Sequence, residues 1–398
     1  MRRILVIGGG IAGVESALTL SRGLPDDRVE LLTHADVLRV MPDLVYVPTG
    51  VAAHRIEVPV RELLAAEDVD VTLGEVESID LAARVAHADT GDHPFDVVVV
   101  APGAACLPTS GLQLQTLAQA EAVRDRLDEV FAGATADDER ASIIVRTSAD
   151  DAWGPPAYEF AALLAARRRM LDVERLVSVT LVTAELQPFQ WFEPHVADVV
   201  VEACEALGIE FATGVPEARF DDLEGDVVID FGRLEARHVP GLPGRDERGW
   251  YATDPDGRVH RHAFVVGDAA GHGFKSAFAV AWQARRLLVA LGGSLDALGR
   301  HVGGVPIDAV EHHVDLGTRT LRIRLPVAAK LHDPWLGHDA TIQLDDAPPD
   351  RLAGLLVGQE LARAGGRSAA HAHRALVTRP AAPPRRAGRP RLASRPTP

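Results

Sequence analysis

The chain has 398 residues, enough for two or three domains, and its 47% hydrophobic and 25% charged content is that of a globular protein rather than a fibrous or disordered one. The net charge of −16 excludes nucleic acid as a natural partner of the folded body. That charge is uneven, because nine arginines and no acid lie from Arg363 onward, which leaves 32 basic against 57 acidic residues before it. Two cysteines, Cys106 and Cys204, are too few for a disulfide framework, so a reducing, cytoplasmic setting is expected.

In chain order, MRRILVIGGGIAGVESALTL begins like a signal peptide, but a run of three glycines, with Gly13 and Glu15 after it, interrupts its apolar stretch. RILVIG reads instead as a buried strand, followed by a helix to about residue 22 and by the strand RVELLT. FDVVVVAPG (95–103) is a further buried strand ending in a Pro-Gly turn, and residues 112–131 are expected to form a helical link. A second alternating set runs through ASIIV, SVTLVT (178–183), a helix from about 194 to 207, and DVVIDFG (226–232). RHAFVVGDAAG (261–271) leads from a strand through a glycine-rich turn into a helix at roughly 275–291. Residues 305–345 read as β-rich, and an amphipathic helix, DRLAGLLVGQELARAG, precedes an Arg/Pro/Ala tail. The tail, 366–398, lacks apolar periodicity and is expected to be disordered. Its arginines after an amphipathic helix would suit weak peripheral adhesion to an anionic membrane, against the simpler reading of a solvated tail. No stretch approaches the ~18–20 apolar residues of a membrane span.

This alternation predicts an α/β protein with two Rossmann-like, doubly wound domains and a small C-terminal β/α segment. The expected boundaries are 1–111 with 236–300 for the first domain, 112–235 for the second and 301–365 for the C-terminal segment. Gly8-x-Gly10-x-x-Gly13 follows a strand and opens a helix, the context in which this pattern cradles a pyrophosphate. Ile11 and Ala12 lie within the fingerprint as further candidate contacts, and Ala101 and Gly103 end the mid-chain strand. The acid usual at the end of the second strand is replaced by Thr33 and His34, which leaves Thr33 or Asp36 to reach a ribose hydroxyl. Gly267-Asp268, between strand and helix, would aim one carboxylate and one helix N-terminus at a ligand, or serve only as a cap.

The fingerprint, VVVVAPGA and AFVVGDAAG together resemble the pyridine nucleotide–disulfide oxidoreductase superfamily. The segments LLTHADVLRVMPDLVYVPTG and GPPAYEF are similar to those of sulfide:quinone oxidoreductases and flavocytochrome c sulfide dehydrogenase flavoproteins, with type II NADH dehydrogenases more distant. The resemblance implies FAD with its diphosphate on Gly8 to Gly13 and its ribityl chain on Asp268. It also places Lys275, one of only two lysines, beside the flavin, where a cation would stabilise the reduced form. Sulfide oxidation in that branch uses a cysteine pair. Here the first would fall at Trp153 or Ala152, and no cysteine follows residue 268. Cys106 is therefore a redox candidate or a small buried hydrophobe, and Cys204 reads as core.

The second α/β set has no glycine fingerprint, and Asp150 and Asp151 would oppose a pyrophosphate. Glu159 stands where nicotinamide-binding relatives carry a glutamate, or merely complements the helix dipole. His260, His262, His272, His312 and His313 show no metal-ligand spacing, so no metal is expected. Trp191, Phe192 and Trp282 read as core or interface aromatics that could line a quinone-sized cavity. The expected function is an FAD-dependent oxidoreductase passing two electrons from NAD(P)H or another small reductant to a quinone-like or soluble acceptor. The alternatives are a sulfide:quinone oxidoreductase-like enzyme without the cysteine pair, and a non-catalytic interaction protein. Its partners would be a small-molecule donor and acceptor, with a homodimer left open.

Overall fold

The computed structural model describes residues 1–149, 154–190, 192, 194–271, 275–300, 309–317, 319–326, 341–346, 349, 355–363 and 369–370. We number the main-sheet strands and the longer α-helices in chain order. A first sheet opens with β1 (Arg3–Ile7), then α1 (Ile11–Gly23), β2 (Arg28–Thr33), β3 (Val69–Leu73) and β4 (Val97–Val100). A second is built from β5 (Leu112–Gln113), α2 (Leu117–Asp137), β6 (Ala141–Thr147), α3 (Gly154–Met170), β7 (Val177–Thr183), α4 (Pro194–Ala206), β8 (Glu210–Ala212) and β9 (Val227–Phe231). The chain then returns to the first sheet with β10 (Arg258–His260) and β11 (Ala263–Val265) before α5 (Ala277–Ala290). A C-terminal sheet of β12 (Ala309–Asp315), β13 (Thr320–Pro326) and β14 (Thr341–Asp345) precedes α6 (Leu356–Arg363).

Both large sheets are doubly wound. The first has the order β10-β11-β4-β1-β2-β3 and is parallel except at its β10 edge. The second is wholly parallel in the order β5-β9-β6-β7-β8. Both faces of the first sheet are covered, one by helices and the other by the segments around Ile79, Ala86 and Trp250, which is why RILVI and VVVV are continuous apolar runs rather than alternating ones. Successive β1 residues still diverge, with Ile4 and Val6 joining the main core and Leu5 and Ile7 packing with Trp250 and Tyr251 on the opposite face. In each sheet the strand order reverses direction beside the first strand, between β1 and β4 and between β6 and β9. Such a switch point opens a crevice at the C-terminal ends of the strands.

The expected helix over 112–131 begins later, at Leu117, because Thr116 and Gln119 form a reciprocal capping box there and Leu112–Gln113 pairs with β9. Periodicity also missed the meander of Val76–Asp80, Val85–Ala88 and Gly91–Pro94, whose short charged strands carry no sustained alternation. The C-terminal part is fastened through buried polar contacts. Asp315 Oδ2 accepts from the Tyr46 hydroxyl at 2.8 Å, and Glu159 Oε1 accepts from the Asp315 N–H at 2.9 Å. Glu15, fully buried in α1, accepts from the N–H groups of Leu356 and Val357 and so caps α6. Arg22 bridges Glu67 and Glu360, each at 2.5 Å. These charges are buried in company, the condition under which burial is tolerated. No helix among the described residues is long and apolar enough to cross a membrane. Of the tail expected to be disordered over 366–398, Ala369 and Ala370 are instead buried in the main core, because two small apolar side chains fit there; the rest, with the expected membrane adhesion, lies outside the described residues.

Candidate nucleotide-binding site

Three motifs far apart in sequence meet at the C-terminal edge of the first sheet. Gly8 leaves β1 at φ +113, a region costly for any side chain, and a Cβ there would strike the Ala101 carbonyl oxygen at the end of β4. A Cβ at Gly13 would strike the Gly8 carbonyl, so α1 approaches its own strand as closely as backbone allows. Gly267, after β11, touches the same loop, since a Cβ on it would lie 2.6 Å from that of Ala12.

The loop these contacts build is open on its outer side. Gly10 is the extended N-cap of α1, is exposed, and a Cβ on it would meet nothing within 4 Å. Neither a capping side chain nor an acid stands in the first turn of α1, where Ile11 and Ala12 are half-buried. An uncapped helix N-terminus beside unfilled space suits a diphosphate, and the half-exposed Asp268 stands on the adjoining turn. The residues present therefore fit a dinucleotide such as FAD. Gly103 follows with φ +70, its carbonyl accepting from Arg237 N at 3.1 Å.

The other candidates are more committed to the protein itself. Thr33 is buried against Gly9 and its hydroxyl donates to the Ala35 carbonyl at 3.0 Å, while Asp36 accepts from Arg61 N at 3.2 Å. Lys275 is 3% exposed, with Nζ 2.6 Å from the Ala270 carbonyl oxygen and 3.8 Å from the ring centroid of Trp250. Glu159 is buried in the second turn of α3 and holds β12 through the Asp315 amide, a contact neither expectation for it included. Cys106 is half-buried, and burial together with the nearby Asp230 carboxylate pushes its thiol up to about 11. Cys204 is core, pushed by burial to about 12. Neither is a thiolate at neutral pH. Phe192 and Trp282 are buried. Asp150, Asp151, Ala152, Trp153, Trp191 and His272 lie outside the described residues, and no cluster of three metal-ligating side chains occurs among those described.

At the same edge of the second sheet the described residues bury their polar groups. Glu185, just past β7 where a dinucleotide domain carries its ribose-binding acid, is only 2% exposed and turns inward. It accepts from the Tyr158 hydroxyl at 2.5 Å, the Thr183 hydroxyl at 3.3 Å and Gln190 N at 3.3 Å. Burial raises its carboxyl to about 7, against the opposing pull of these hydrogen bonds. Sequence reasoning missed Glu185. It could have been found by repeating, after SVTLVT, the search for an acid made after RVELLT.

Comparison with known proteins agrees with this architecture. The family model for pyridine nucleotide-disulphide oxidoreductases matches residues 2–239, more than half of the chain. A sulfide-quinone reductase of Aquifex aeolicus is 23% identical over 192 residues, covering 46% of this chain and 43% of that protein. A pyridine nucleotide-disulfide oxidoreductase domain-containing protein of Dictyostelium discoideum is 26% identical over 106 residues, 26% of this chain and 19% of that one. The chain thus spans less than half the length of the curated relatives it matches. The crystal structure of the Aquifex aeolicus sulfide:quinone oxidoreductase aligns with a TM-score of 0.70 at 16% identity, over 91% of this chain and 90% of that one. At that identity the likeness speaks for the fold. The matched region holds the glycine loop and the whole second sheet, and the chain belongs to the pyridine nucleotide-disulphide oxidoreductase family, with the fold of its sulfide:quinone oxidoreductase-like branch.

Proposed function

We propose that the protein is an FAD-dependent oxidoreductase that takes two electrons from a small reductant other than NAD(P)H and passes them to a quinone-like or soluble acceptor. The observation that carries this reading is the contrast between the two sheet edges. One is an uncapped, side-chain-free cradle, and the other is filled by the Glu185–Tyr158 pair. Bound FAD would supply the two-electron chemistry. Gly8, Gly10 and Gly13 would admit its diphosphate to the backbone of α1, with Ile11 and Ala12 beside it and Ala101 and Gly103 forming the adjacent wall. Asp268 would accept from ribityl hydroxyls, and the fixed charge of Lys275 lies behind the same turn. A nicotinamide dinucleotide would need the second edge, where the sequence carries two acids, Asp150 and Asp151, in place of a glycine fingerprint and where Glu185 is withdrawn from a ribose.

The structural likeness to a sulfide:quinone oxidoreductase favours a second reading, with sulfide as donor. Sulfide would then give two electrons to the flavin and its sulfur to an external thiol, because the raised Cys106 and Cys204 thiols are poor acceptors. Anaerobic mixing of the yellow protein with NADH, NADPH and sulfide in turn distinguishes the donors. A colourless protein that reconstitution with FAD does not restore contradicts both readings.

A further inference from the structure

We infer that Trp250 is a positioning residue for the flavin, acting through Lys275. The inference rests on the FAD reading above. Lysine is almost absent from this chain, two among 41 basic residues, yet one is buried here beside the Gly267–Asp268 turn. Its ammonium lies between the face of the fully buried Trp250 ring and the Ala270 carbonyl. A compact ammonium fits that gap, whereas a planar guanidinium would need a wider one. The surrounding backbone is knitted to the same point, because Tyr251 N donates to the Ala269 carbonyl at 3.1 Å and Gly271 N to the Tyr251 carbonyl at 2.9 Å. Residues 250–251, 269–271 and 275 therefore form one clasp behind the turn that carries Asp268 and presses Gly267 against Ala12.

The π-face replaces part of the water that the ammonium lost on burial, so the ring keeps the cation in the clasp and the clasp keeps the turn in place. Trp250 is not among the residues proposed to meet FAD. It also packs in the core with Ile7 and Ala269, but the part of its effect that depends on charge passes through Lys275, and that part makes the two residues one energetic unit.

The test is the FAD dissociation constant of Lys275→Met, Trp250→Leu, the double variant and Trp250→Phe, read from the return of flavin fluorescence on release. Each single change is expected to weaken FAD binding about 10- to 30-fold, the double variant no more than either single, and Trp250→Phe to restore most of the loss. Effects that multiply in the double variant would show ordinary core packing and overturn the inference, as would unchanged binding in either single variant. If Trp250→Leu does not fold, fluorinated tryptophans placed at 250 keep the shape while draining the ring face. FAD binding should then loosen stepwise with fluorination, and a flat series overturns the inference. Failure of the FAD reading is seen separately, in wild-type protein that takes up no flavin.

Discussion

The two nucleotide-facing edges of this molecule are built alike and finished differently. Both follow the first strand of a parallel, doubly wound sheet, and both lead into a helix that packs on the main core. At the first, Gly10 leaves open space beside an uncapped helix N-terminus, and Gly8 and Gly13 let the backbone approach closely. At the second, a tyrosine from α3 and a carboxylate from beyond β7 bury their polar groups against each other at 2.5 Å. The lesson is that topology supplies a crevice at each switch point, and side-chain volume decides whether a ligand can use it.

The comparison can be broken most forcefully at Gly13. Gly13→Val has no space, so a loss of about 3 kcal/mol in denaturant unfolding is expected, together with the loss of flavin absorbance. A protein that keeps both would show that the first loop is not the tight cradle described here.

Glu185→Gln probes the closed edge. In the folded protein Glu185 holds its proton up to about pH 7, against its ordinary 4.5. Its burial therefore has no penalty below pH ~4.5, a growing one as pH rises from there to 7, and a constant one above. Removing the charge should raise stability at pH 8 by about 3 kcal/mol, with the gain shrinking toward pH 4.5. Thermal unfolding of both proteins across that range reads it directly, and a gain independent of pH would mean the carboxylate is not desolvated.

A matched pair of glycine changes gives smaller but more specific effects. Gly10→Val should cost only about 1 kcal/mol, the ordinary loss of a glycine N-cap, because nothing lies within 4 Å of its Cβ, yet weaken FAD binding about 10-fold or more by occupying the diphosphate space. Gly154→Ala, at the start of α3, should change neither, since its Cβ would meet only Glu185 Oε1 at 4.0 Å. Equal effects of the two on cofactor retention would erase the distinction between the edges.

What could be read from the sequence divides along the same line. The glycine loop was legible because its requirement is local, in that three glycines, a strand before and a helix after lie within some twenty residues. Gly267-Asp268 was legible for the same reason. The closed edge was not, because Tyr158 and Glu185 are 27 residues apart on different elements, and an acid after a strand reads equally well as ribose-binding or as buried. Glu159 was expected to serve a nicotinamide or its own helix dipole, but its partner is an amide 156 residues away. Lys275 was conspicuous by rarity, whereas its neighbour Trp250 carried no pattern at all. The meander over 76–94 was invisible because strands of four or five residues with charges on both faces show no period.

The most direct measurement is anaerobic stopped-flow absorbance of the FAD-loaded protein mixed with excess NADH or NADPH, with dithionite as the control that the flavin can be reduced. The account predicts that dithionite bleaches the flavin and that neither nicotinamide does. Rapid, saturable bleaching by NADH or NADPH would contradict it, because a nicotinamide would then be using the edge that Glu185 and Tyr158 close.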